Sequence, residues 1–99
     1  MNAVIYKYPL DLEGQDIKEI IMPLGANVLT VQVQRDVVCL WAMVPTDLPD
    51  YAGGEEVRRF LVIGTGHRLP EHPTRYVGTV QMVNGALVLH VFELEKARS

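Results

Sequence analysis

Asn84-Gly85 stands between two runs rich in β-formers, Tyr76 to Val83 and Ala86 to Glu93. An Asn-Gly pair in that setting is the strongest short-range hairpin signal, because both central residues of the tight turn must accept positive φ. A two-residue turn sets Val83 opposite Ala86, and hence Gln81 opposite Val88, Thr79 opposite His90 and Val77 opposite Phe92. The alternate face holds Gly78, Val80, Met82, Leu87, Leu89 and Val91. It is apolar throughout and is expected to meet a core. The first face mixes polar residues with Val77, Val88 and Phe92. It is too apolar to be left in water, so another layer or another subunit is expected over it.

The rest of the chain reads in the same period. Ala3 to Tyr8 is β-rich and is closed by Pro9, which lacks a ladder donor. Ile17 to Met22 is short and stops at Pro23; a strand is preferred there, with a single helical turn as the alternative. Asn27 to Gln34 alternates, with Leu29, Val31 and Val33 on one side and Val28, Thr30, Gln32 and Gln34 on the other. Arg35-Asp36 is a tight connection. Val37 to Val44 is nearly all apolar and reads as a central strand buried on both faces, with Trp41 in the core. Pro45 to Gly54 is rich in Pro, Gly and Asp and reads as a loop. Glu55 to Ile63 resumes a strand, with Arg58, Phe60 and Val62 on one side and Val57, Arg59, Leu61 and Ile63 on the other. Arg68 to Thr74 is a second loop, and residues 95–99 form a polar tail expected to fray. Six to seven short strands with no long helical pattern predict an all-β fold. It is one antiparallel domain over residues 1–99, a sandwich or a partly open barrel.

Composition narrows the function classes. The chain has 99 residues, 48% of them hydrophobic, and a net charge of −3. A mildly acidic domain argues against binding nucleic-acid polymers, which need a clustered basic surface, while the local gathering of Arg58, Arg59, Arg68 and Arg75 leaves room for a small anion. No apolar run approaches the roughly 20 residues of a membrane span. No basic stretch followed by a long apolar one opens the chain, so a cytoplasmic setting is expected. Cys39, the single cysteine, lies in an apolar strand and reads as a buried small hydrophobe.

The sharpest local feature for chemistry is Gly64-Thr65-Gly66-His67, followed at once by Arg68. Two glycines let backbone N–H groups approach an anion, and Thr65, His67, Arg68 and Arg75 add polar and cationic side chains. The segment is neither a dinucleotide fingerprint nor a phosphate-binding loop, since the third glycine and the Gly-Lys-Ser/Thr are missing. Its plainest reading is a bend leaving a strand. Tyr51 and Tyr76 adjoin loops and could stack on a ring. Gln32 and Gln34 share one strand face and could bond a polar ligand. No serine but Ser99 is present, so nucleophilic catalysis finds no convergent set. His67, His72 and His90, with Glu71 and Cys39, match no zinc template. His90 is expected to bond Thr79 across the hairpin. No cofactor is assigned.

The order of Tyr6-Lys7-Tyr8, Met22 to Ala26, Val31 to Gln34, Leu40-Trp41-Ala42, Gly64 to His67, Tyr76 to Thr79 and His90 to Glu93 resembles a family of small uncharacterised proteins of bacteriophages and bacterial genomes. The resemblance implies a phage or prophage setting and carries over no catalytic residues. The leading expectation is a non-enzymatic binding protein for a small anionic or nucleotide-derived ligand, such as a host-defence signal, and a homo-oligomer. The alternatives are a structural or protein-interaction module with a virion or host-protein partner, and a metal-dependent hydrolase.

Overall fold

The computed structural model describes residues 2–46 and 54–96. Among the described residues seven strands form: β1 (Ala3–Pro9), β2 (Ile17–Pro23), β3 (Asn27–Gln34), β4 (Val37–Pro45), β5 (Glu55–Gly64), β6 (Arg75–Met82) and β7 (Leu87–Glu93). All pairings are antiparallel. One sheet has the order β1-β4-β3 and the other β2-β5-β7-β6. They pack face to face as a sandwich that does not close into a barrel. Ile17 to Met22 is a strand, as its β-branched content favours. The expected loop over Pro45 to Gly54 lies outside the described residues for positions 47–53, Tyr51 among them.

The main core lies between the sheets. Val28, Val31, Val38, Leu40, Ala42 and Val44 come from the three-stranded sheet, and Met22, Phe60, Val62, Val80 and Val91 from the four-stranded one. A smaller core of Leu61, Ile63 and Leu94, flanked by Ile17 and Phe92, sits on the outer face of the four-stranded sheet. Both faces of β5 are therefore apolar for different reasons.

Two bulges revise the expected alternation. In β3 the ladder shifts between Val28 and Thr30, leaving Leu29 as the extra residue. Val28 and Val31 both reach the core and Leu29 is exposed, contrary to a strict period of two. In β6 the register holds from Met82 opposite Leu87 to Gly78 opposite Val91, then shifts, so that Tyr76 rather than Val77 faces Phe92. Val77 turns toward the main core. The hairpin's outer face thus loses one of the apolar residues that had suggested a covering subunit.

The strand β4 is central, but its two faces differ. Val38, Leu40, Ala42 and Val44 are fully buried between the sheets, whereas Val37 is exposed and Trp41 and Met43 are half-buried on the outer face. Trp41 is thus not part of the main core; Lys7 Nζ stands 5.9 Å from its ring centroid. Cys39 is buried, as expected.

Both tight turns use left-handed backbone. Arg35 and Asp36 have φ of 49° and 66° between the paired Gln34 and Val37. At the last hairpin, Asn84 and Gly85 have φ of 51° and 85°, and Val83 joins them at 53°. Ala86 N–H donates to Val83 C=O at 3.0 Å, closing the expected turn, and Gly85 N–H donates to Met82 C=O at 3.1 Å. The polar tail is held at its start: Arg59 donates to Glu95 C=O at 3.0 Å, and Lys96 pairs with Glu56.

Candidate functional site

The strand β5 ends at Gly64, and a tight turn follows in which His67 N–H donates to Gly64 C=O at 3.3 Å. Gly66 occupies the third position with φ of 88°, which a side chain would strain. A Cβ at Gly66 would meet nothing within 4 Å, so the glycine is required by backbone conformation and not by crowding. The His67 ring lies beside Gly64, about 3.7 Å from where its Cβ would stand. Beyond the turn the chain is tied back to the outer face of β5. Arg59 grips Glu71 through both terminal guanidinium nitrogens, Nη1 and Nη2, at 3.0 and 2.8 Å. That guanidinium holds the Glu71 carboxyl below the usual glutamate range.

The turn delivers Thr65 to the last hairpin. Thr65 Oγ1 lies 2.7 Å from His90 Nε2, and Thr79 Oγ1 lies 3.0 Å from His90 Nδ1. Tyr76 Oη is 2.6 Å from Thr79 Oγ1. A continuous chain Thr65–His90–Thr79–Tyr76 therefore runs across the outer face of the four-stranded sheet. Both imidazole nitrogens are engaged by hydroxyls, which can each donate or accept, so the ring is oriented whichever nitrogen carries its proton. Next to this row, Tyr76 and Phe92 form a tilted aromatic pair with centroids 5.5 Å apart and planes at 59°. Tyr76 is 57% exposed, so its ring is open to a ligand.

The other expected site residues are dispersed. Gln32 and Gln34 lie on the outer face of the three-stranded sheet, on the far side of the sandwich, where Gln34 accepts from Lys7 Nζ at 2.8 Å. Arg75 starts β6, four residues from Thr79, and donates to Val28 C=O at 2.5 Å. It bridges the sheets and does not point at the Gly64–His67 turn. Tyr51 lies outside the described residues. Gly64, Thr65, Gly66, His67 and Arg68 remain together, with Thr65 to Arg68 exposed, and Tyr76 joins them through Thr79 and His90. Among the described residues no group of three or more His, Cys, Asp and Glu could hold a metal ion.

Sequence reasoning paired Thr79 with His90 correctly but left both out of the site. The missing link was Thr65, which lies 25 residues before His90 and meets it only because β5 pairs with β7.

A second polar cluster lies between the sheets, beside the Tyr76 end of that row. Arg58 grips Glu93 through Nε at 2.5 Å and Nη2 at 3.1 Å, and donates through Nη1 to Ala26 C=O at 2.8 Å. Both side chains are buried, and the pairing with Glu93 raises the Arg58 pKa. Every strong partner here is internal, so the cluster is a clamp and not a ligand site.

No curated protein and no solved structure matches the chain. Among the described residues no helix is long and apolar enough to cross a membrane. A family model described as a domain of unknown function, DUF7352, matches residues 1–99, and the chain belongs to that family.

Proposed function

We propose that this DUF7352 protein is a non-enzymatic binding module that takes a small anionic, nucleotide-derived ligand on the outer face of its four-stranded sheet. The observation that carries this reading is the exposed chain Thr65–His90–Thr79–Tyr76 beside the Tyr76–Phe92 pair. An open aromatic ring suits a base, a row of hydroxyls and imidazole suits ribose and polar ring edges, and the Gly64–Arg68 turn brings N–H groups and Arg68 for phosphate. The resemblance to proteins of bacteriophages and bacterial genomes suggests a host-defence signal as the ligand, sequestered in the host cytoplasm.

The rival reading is a protein-interaction module. It is favoured by the exposed apolar pair Ile21 and Val57, cross-strand neighbours 59% and 43% exposed on the same sheet.

A thermal-shift panel of mono-, di- and cyclic nucleotides separates the two. A ligand at 100 times its dissociation constant should stabilise the fold by about 2.7 kcal/mol. His90→Ala and Thr79→Val should then weaken binding at least about tenfold, roughly 1.4 kcal/mol, while leaving the free protein folded. No shift with any nucleotide, alongside capture of a defined protein through Ile21 and Val57, establishes the rival.

A further inference from the structure

The strand β1 is an outer strand of its sheet, and among the described residues it pairs only with β4. The direction of its backbone groups follows from the two ends of that ladder. Thr46 N–H donates to Asn2 C=O at 2.9 Å, and Leu10 N–H donates to Val38 C=O at 2.8 Å. Hydrogen-bonded and non-hydrogen-bonded pairs alternate in an antiparallel ladder. Val4, Tyr6 and Tyr8 therefore turn their backbone groups toward β4. Ala3, Ile5 and Lys7 turn theirs outward, and among the described residues no strand receives them. Pro9 shares their direction but has no N–H to offer.

Edges of this kind are usually guarded by an outward lysine, a proline or a bulge. The only charged residue of β1 does not guard it. Lys7 folds back across β4, over the Trp41 ring, to donate to Gln34 on β3 at 2.8 Å. Val4, Ile5 and Tyr6 are left 38%, 55% and 41% exposed. An unguarded edge with apolar side chains on both faces is a template for another strand.

We propose that this edge pairs with β1 of a second copy, joining the two three-stranded sheets into one. The strand is self-complementary in a single register. Setting Ile5 against Ile5 of the second copy places Ala3 opposite Lys7 and Lys7 opposite Ala3. All three outward N–H groups of each copy then find a carbonyl, and both prolines fall outside the ladder. Shifting the two-fold centre to Tyr6 or Lys7 brings Pro9 into a pair or leaves Ala3 unmatched. In the Ile5 register Val4 meets Tyr6 of the other copy on one face, and the two Ile5 side chains meet on the other. No like charges oppose each other. The other sheet's outer face stays open on both copies, so dimerisation and ligand binding are independent.

The test uses the full chain in sedimentation velocity between about 1 μM and 1 mM, the range in which small interfaces associate. The wild type should pass from monomer to dimer. Ile5→Lys and Ile5→Glu each place a like-charged pair on the two-fold axis and should each raise the dissociation constant at least tenfold. Mixing the two variants should restore a heterodimer, because the residues that repel in each homodimer attract in the mixture. Matching circular dichroism spectra for all three chains establish that the variants fold. A wild type that stays monomeric throughout, variants that dimerise as well as the wild type, or folded variants that fail to pair when mixed would each overturn the proposal.

Discussion

At Gly78 the two sheets approach closely. A Cβ built there would stand 2.8 Å from Val31 Cγ1, with the Val31 backbone within 4 Å behind it. The valine is β-branched and held at 4% exposure, so it cannot swing aside cheaply. Gly78→Ala is expected to cost about 1–3 kcal/mol, as overpacking of a filled core does; urea denaturation measures it. The position also shows what residue-level reading can and cannot supply. The glycine was visible, and so was its place on the apolar face of the hairpin. Its partner was not, because β3 and β6 are far apart in sequence and meet only through the packing of two sheets. Val83 makes the same point for the backbone. Nothing in its neighbours announces that a β-branched residue will adopt a φ of 53°, and its 72% exposure removes any packing signal.

At the scale of elements, the sandwich is fastened at one end by charge. Arg58 and Arg75, from the four-stranded sheet, donate to the carbonyls of Ala26, just before β3, and Val28, near its start, and Glu93 neutralises Arg58. Removing one partner of a buried pair leaves the other uncompensated. Glu93→Gln is therefore expected to cost about 3–5 kcal/mol. Arg58→Met with Glu93→Leu should recover much of the loss in the same denaturation assay; equal damage from the double and single changes would show that the pair is not coupled. Periodicity made the strands legible, down to the register of the last hairpin, since alternation and turn chemistry are local properties. The bulges at Leu29 and Val77 were not legible. Each is a one-residue insertion that local propensity tolerates and that packing against the other sheet decides. Gln32 and Gln34 read as neighbours of the Gly64–Arg68 turn for the same reason: which face a strand presents is readable, but which outer face of a sandwich it belongs to is not; Arg75 reads so because its bond to Val28 C=O across the sheets is non-local.

For the whole molecule, the two outer faces and the β1 edge are separate parts of the surface. The outer face of the four-stranded sheet holds the hydroxyl–imidazole row, and the β1 edge belongs to the other sheet. Of the candidate site, the Gly64–Arg68 segment and Tyr76 were legible from glycine chemistry and from an aromatic beside a loop. The histidine that joins them was legible only as a cross-strand partner. Three histidines, His67, His72 and His90, make the imidazole signals few enough to assign by single substitution. Heteronuclear NMR of the full chain, titrated with the nucleotide panel, is therefore the most direct measure of where a ligand sits. The His90 ring and the Thr65 and Thr79 methyls should move together and saturate with one dissociation constant, while His72 stays in place. Saturable shifts confined to Gln32, Gln34 and Trp41 on the opposite face, or no saturable shift with any nucleotide, would contradict a site on the four-stranded sheet.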